Sequence, residues 1–192
     1  MGRAKQFDPE VAIVQAMDVF WRQGYASTTP QGLADALGIG KGSLYNAFGG
    51  KRQLYDLALQ HYLEAQSAVL ASWLEAPGPV KERLRSALTF LVETDLADPH
   101  QRGCLATNSA VEFGTADKEV ASRVGNLFDY TEQAFASVII EGQATGELRS
   151  DLDAGAVASM LLNTVTGLHA LARVDHGDGR LQRVVGATVD LL

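Results

Sequence analysis

The chain has 192 residues, 46% of them apolar, enough for a buried core and too many for a disordered segment. A single cysteine excludes both an internal disulfide framework and a cysteine-based zinc site; with no oxidising-compartment signature, the cytoplasm is the expected location. A net charge of −7 argues, taken whole, against a nucleic-acid partner.

The opening stretch Met1–Gln6 lacks the apolar run of a signal peptide. Gln6 also stands where a myristoylation pattern needs Ser or Thr. No run of about 18 apolar residues is present, so no membrane span is expected. Asp8-Pro9-Glu10 is a helix start, with a capping carboxylate, a proline at the first helical position and an acid in the first turn. Ile13, Ala16, Met17, Phe20 and Trp21 follow on one face, and Gly24 ends the helix. Ser27-Thr28-Thr29-Pro30 caps a short helix with Leu33, Ala34 and Leu37 inside, stopped by Gly38. A third helix, roughly Gly40 to Phe48, packs through Leu44, Tyr45 and Phe48 and breaks at Gly49-Gly50. Lys51 opens a long helix through Leu54, Leu57, Ala58, Tyr62 and Ala65 that ends near Trp73 to Glu75. Pro77-Gly78-Pro79 is the clearest boundary. Beyond it the periodicity predicts helices over 80–96, 103–113, 117–144, 153–173 and 181–192, and the 103–113 helix is uncharged enough to predict burial. The expectation is an all-α fold of about nine helices, with no repeats, no low-complexity segment and no convincing strand.

Charge is unevenly spread along these elements. Residues 1–52 carry six basic and four acidic side chains, a balance of +2, whereas the remaining 140 carry −9. A mildly basic head on an acidic body suggests an end that faces a polyanion.

Thr29 to Phe48 has the proportions of a helix-turn-helix, two short helices joined through Gly38. Small residues at Ala34 and Gly38 let the helices approach, and Leu44 and Phe48 anchor the second inward. Lys41, Gly42, Ser43, Tyr45, Asn46 and Ala47 are left facing out. These types suit a duplex groove: lysine and tyrosine for phosphates or base edges, asparagine for adenine, small residues for close approach.

Segment 6–66 also resembles the DNA-binding domain of TetR-type (tetracycline-repressor-like, AcrR-like) transcriptional regulators. The matching residues are Phe20-x-x-x-Gly24-Tyr25, the Ser27-Thr28-Thr29 cap, Leu33-Ala34-x-x-Leu37-Gly38, and Gly42-Ser43-Leu44-Tyr45-x-x-Phe48-x-x-Lys51-x-x-Leu54. Gly40 departs from the pattern, which usually has Ser or Thr there. The resemblance implies a helix-turn-helix DNA-binding domain over residues 1–50 and a C-terminal ligand-binding and dimerisation domain over 51–192. It implies a homodimer on a palindromic double-stranded DNA operator, more often a repressor, released by a small-molecule effector. Carried over by position, Thr28, Thr29, Tyr45 and Lys51 face phosphates, Lys41, Ser43 and Asn46 face base edges, Gly42 allows close approach, and Arg3 and Lys5 form an arm. A small-and-apolar face of Ala156, Met160, Asn163, Thr164, Gly167 and Leu171 suits the subunit interface.

A ligand pocket between the middle helices is expected, with Trp73, Phe90, Cys104, Thr107, Asn108, Glu112, Phe113, Phe128 and His169 as candidate liners. Two readings stand for Cys104: a thiol that senses electrophiles at a helix start, as in one branch of the family, or a small buried residue. A thiol-dependent enzyme using Cys104 and His100 is the rival class. Other chemistry finds no support. Gly38 to Ser43 lacks the Gly-Lys-Ser/Thr order of a phosphate loop, and no nucleophile-elbow or zinc-protease motif occurs. His61, His100, His169 and His176 show no metal spacing, and Asp175 to Asp178 reads as a solvated turn, so no metal or cofactor is expected.

Overall fold

The computed structural model describes residues 7–175, 177 and 179–192. Arg3, Lys5, His176 and Asp178 therefore lie outside the described residues. Within them there are nine helices and no strand. The helices are α1 (Pro9–Gln23), α2 (Pro30–Ala36), α3 (Lys41–Phe48), α4 (Lys51–Leu74), α5 (Val80–Ala97), α6 (Leu105–Phe113), α7 (Lys118–Ala144), α8 (Ala154–Ala172) and α9 (Arg180–Asp190).

Local chemistry fixes most boundaries. Asp8, Thr29, Asp117 and Asp153 each accept a backbone N–H of the helix they cap. The α2 stop is a Schellman motif: Gly38 N–H donates to the Asp35 carbonyl and Ile39 N–H to the Ala34 carbonyl. Gly38 sits at φ +63°, where a side chain would be strained.

Two apolar clusters form the core. The first joins α1–α4 through Phe20, Leu33, Leu44, Leu54, Tyr55 and Leu59, and it continues into Cys104, Leu105, Val120 and Val124 of the body. The second packs α5, α7, α8 and α9 around Leu84, Leu88, Phe135, Ile139, Leu161 and Leu168. The head is thus seated on α6 and α7 by shared core.

Several burial expectations change. In α4, Leu57 is 40% exposed and Ala65 is exposed, while Tyr55 and Leu59 take the inner face. Helix α6 buries only one face, through Leu105, Ala106 and Ser109; Val111 on the other side is 82% exposed. Helix α8 is, by length and composition, apolar enough to cross a membrane, with a mean hydropathy of 1.3, although polar residues interrupt its sequence. It packs one face on α7 and α5 through Val157, Ala158, Leu161, Leu168 and Ala172. Ala156, Met160, Asn163 and Leu171 lie exposed on its other side, with Thr164 and Gly167 half-buried beside them. The six residues expected at a subunit interface therefore share the face that this chain leaves uncovered.

Candidate nucleic-acid interface and effector cavity

Helix α3 turns Leu44 and Phe48 into the core and leaves Lys41, Gly42, Tyr45, Asn46 and Ala47 exposed, with Ser43 half-buried. Gly40 caps α3 without a side-chain hydrogen bond. The Tyr45 ring stands over Gly50, whose Cβ, if it had one, would lie 3.2 Å from a ring carbon. Thr29 is exposed at the start of α2, where its Oγ1 accepts from Gly32 N–H and keeps its own hydrogen to donate outward.

Thr28 does not share that surface. It is 2% exposed, and its hydroxyl donates to the Gly24 carbonyl at 2.7 Å, so it closes the α1–α2 turn. Lys51 is half-buried at the start of α4, its ammonium 3.9 Å from the centre of the Tyr25 ring. Burial pulls its pKa below the ordinary lysine value, partly offset by the Glu112 carboxylate. Burial likewise raises the Tyr25 phenol, against the opposing charge of Arg52.

Among the described residues, two of the head's four cations, both arginines, are consumed in ion pairs. Arg22 pairs with Asp18, and Arg52 with Asp56, Asp117 and Glu119. Hydrogen bonding from Arg52 holds the Asp117 carboxyl down at about 2. Lys41 stands exposed, with no ion pair among the described residues.

Between α1, α4, α5, α6, α7 and α8 lies a cavity of about 240 Å³. Of the candidate liners, Trp73, Phe90, Cys104, Thr107, Phe128 and His169 border it. Trp73 and Phe90 form a pair with ring centres 5.1 Å apart. The structure adds Trp21, Tyr62 and Asp95 to the wall. Asp95 was legible as the position that continues the Leu84, Leu88, Val92 stripe of α5 into the core. Its carboxylate lies 2.7 Å from His169 Nδ1. The Cys104 sulfur caps α6, accepting from Thr107 N–H at 3.5 Å and from the Tyr62 hydroxyl at 3.4 Å. Burial drives the Tyr62 phenol well above its usual value, with the neighbouring Cys104 adding to the shift.

Three expected liners lie elsewhere. Asn108 and Glu112 face an outer groove of about 610 Å³ that shares Trp21, Cys104, Thr107 and His169 with the cavity. Asn108 is held between the Arg102 carbonyl and the Arg173 guanidinium. Glu112 accepts the backbone N–H groups of Tyr25 and Ala26 at 2.9 and 2.6 Å, tying α6 to the α1–α2 turn. Phe113 packs on Tyr25 and Tyr55, with ring centres 5.1 and 5.2 Å away.

The same segment grips α1 as well. Trp21 Nε1 donates to the Gly103 carbonyl at 3.0 Å. Arg102 stacks 4.2 Å over the Trp21 ring and pairs with Asp18 at 2.8 Å.

A helix-turn-helix head seated on an all-helical body with an internal cavity is the build of a helix-turn-helix transcriptional regulator. Two family models place the chain within that class: bacterial regulatory proteins of the tetR family match residues 12–58, and the tetracyclin repressor-like C-terminal domain matches residues 80–188. The chain belongs to the TetR family. Aligned over 194 positions, it is 36% identical to YezE, a helix-turn-helix transcriptional regulator of Bacillus subtilis (strain 168), covering all of both proteins. It is 30% identical to the repressor DhaR of Mycobacterium sp. (strain GP1), over 81% of this chain and 77% of that one. A cysteine-substituted form of the TetR family regulator CifR, solved on a 26-bp double-strand operator DNA, is 28% identical and superposes with a TM-score of 0.87 over 98% of both chains.

Proposed function

We propose that the chain is a homodimeric repressor, without catalytic activity, that acts in the cytoplasm on a palindromic operator and lets go of it when a small molecule enters the body. The head is residues 1–50 and the regulatory part 51–192, joined by α4. The observation that carries this reading is α3: Lys41, Gly42, Ser43, Tyr45 and Asn46 form an outward surface on a helix anchored by Leu44 and Phe48. Lys41, Ser43 and Asn46 take base edges, while Thr29, Tyr45 and the start of α4 take phosphates. The uncovered face of α8, from Ala156 to Leu171, pairs with its counterpart in a second copy and sets the separation of the two reading helices. DhaR is named a repressor and CifR is seen on operator DNA, which supports the same direction.

Selection from a random duplex library at moderate salt tests the reading. The expected result is an enriched palindrome with half-sites about one turn, roughly 34–36 Å, apart. Binding that is salt-sensitive but without enrichment overturns it.

A second reading concerns the trigger. Cys104 lines the cavity and also caps α6, the helix that grips the head. Addition of its thiolate to the β-carbon of an enone, with a water proton taken up at the α-carbon, would place a bulky thioether at that cap. Mass spectrometry after enone treatment, together with operator binding of Cys104→Ser, decides it: an enone that still releases the serine variant acts by occupancy alone.

A further inference from the structure

The cavity wall says what kind of molecule it takes, given that the cavity is the effector site proposed above. Its body is aromatic and aliphatic, with the Trp73–Phe90 pair on one side and Trp21 and Tyr62 on another. Among the described residues no lysine or arginine lines it, and Asp95 is its one acidic residue. An anionic ligand would therefore meet a carboxylate and no cation, at a large desolvation cost. The volume suits a small ring system without capping its size, because the cavity is partly open. The volume is about 240 Å³. An apolar hole of about 150 Å³ takes up benzene, and drug-sized sites begin near 300 Å³.

Four of the polar groups on this wall are already spent on the protein, while the side chains of Gln66, Thr94 and Thr107 make no hydrogen bond among the described residues. Thr131 and Thr166 donate to the Leu127 and Leu162 carbonyls. Trp21 Nε1 and the Tyr62 hydroxyl are spent on the Gly103 carbonyl and the Cys104 sulfur. The Asp95–His169 pair is different. A carboxylate oxygen can only accept, so His169 Nδ1 carries the hydrogen of their 2.7 Å contact. Held this way, the ring leaves Nε2 without a hydrogen-bond partner among the described residues, an acceptor whenever the ring is uncharged. Asp95 thus fixes the tautomer of a histidine that also lines the cavity.

We infer that the cavity binds a compact, uncharged, hydroxyl-bearing ligand of one or two fused rings, its ring system between the aromatic walls and its O–H donated to His169 Nε2. The hydroxyl is what distinguishes it from a hydrocarbon of equal size. The absence of a cation on the wall is what distinguishes it from an organic acid.

Calorimetry on the full-length protein without DNA tests this with indanol, indanone, indane and indane carboxylate, so the outcome stands apart from the operator selection. Quenching of Trp21 and Trp73, the chain's two tryptophans, which both line the cavity, locates the binding. Indanol is expected to bind at least tenfold tighter than indane and than the carboxylate. Indanone, whose carbonyl would face a lone pair at His169, is expected to bind more weakly than indanol. His169→Phe should bring indanol down to the level of indane. Asp95→Asn, presenting its amide N–H to Nδ1, moves the ring hydrogen to Nε2 and should raise indanone at least tenfold over indane. Variants are compared only where the circular dichroism melt stays cooperative; if His169→Phe fails that check, the indanone switch in Asp95→Asn stands alone. Equal binding of indanol and indane, tighter binding of the carboxylate, or no binding of any of the four with unquenched tryptophans would each overturn the inference.

Discussion

Replacing Glu112 by alanine tests whether α6 holds the reading head in place. Its carboxylate is the acceptor for two backbone N–H groups, of Tyr25 and Ala26, that lie between α1 and α2 and have no helical partner. A hydrogen bond to a charged acceptor is worth about 1.5–3 kcal/mol. Glu112 is exposed, so water competes and the lower end applies. Opening this contact should cost about 2 kcal/mol in the wild type, which is about 30-fold in an opening equilibrium. Amide hydrogen exchange reads it directly: at Tyr25 and Ala26 exchange in Glu112→Ala should be about 30-fold faster, with Ala16 and Met17 in the middle of α1 unchanged. Glu112→Gln keeps one acceptor oxygen and should fall between. Exchange at the two amides within twofold of the wild type would refute the idea that α6 clamps this turn.

Further expectations follow from the same geometry. Gly40 has a φ of −71°, which any residue adopts, and an added Cβ would meet only Ser43 Oγ at 3.8 Å. Gly40→Ser should then stabilise the protein in urea melts by about 0.5–1 kcal/mol, through a cap and a less flexible unfolded chain. Gly103 is the opposite case, with φ +62° and a would-be Cβ 2.8 Å from the His169 carbonyl oxygen, so Gly103→Ala should lose about 2 kcal/mol or more. Burial pushes the Tyr55 phenol up to about 12, against the lowering effect of its bond to Ser109. The folded state thus holds this proton more tightly than the unfolded chain. The stability is complete below pH 10 and falls by about 2–3 kcal/mol as the pH rises to 12, a loss that Tyr55→Phe should reduce in urea melts across that range. Lys41→Ala should weaken operator and nonoperator duplexes together, and lower the salt slope by about 1 per subunit if the ammonium meets a phosphate; a slope unchanged with altered base preference would place it on a base edge instead.

Local chemistry made the elements legible. Asp8, Thr29, Asp117 and Asp153 announce their helices by side-chain caps, and Gly38 and Gly49 end theirs through backbone conformations that suit glycine. The outward face of α3 was equally readable, because Leu44 and Phe48 fix its rotation within a helix of eight residues. What depends on packing between distant helices was not. Thr28 and Thr29 look alike in sequence, yet one faces inward because the α1–α2 turn folds back over it. Arg52 counts as positive charge on the head, yet Asp117, 65 residues away, cancels it. The cavity draws on six helices, so Trp21 and Tyr62 of its wall read simply as core until α5, α7 and α8 are set against them.

Residues 102–112 connect the two halves of the molecule physically. One end, Gly103 and Cys104, forms cavity wall and accepts the indole N–H of Trp21. The other end, Glu112, holds the turn that leads into the helix-turn-helix. Between them, Ser109 bonds the buried Tyr55 of α4 at 2.7 Å. A ligand in the cavity, as proposed above, would touch Trp21 of the head itself, with no intervening layer. For a ligand to shift the spacing of two heads it needs only to favour one placement of α6 over another. A rigid α6 would carry a displacement at Cys104 to Glu112, with α1 gripped near the first point and the turn after α1 at the second. On the proposed reading the head would move as one body, and the coupling would be set by how differently the ligand fits two positions of the Trp21–Gly103 contact.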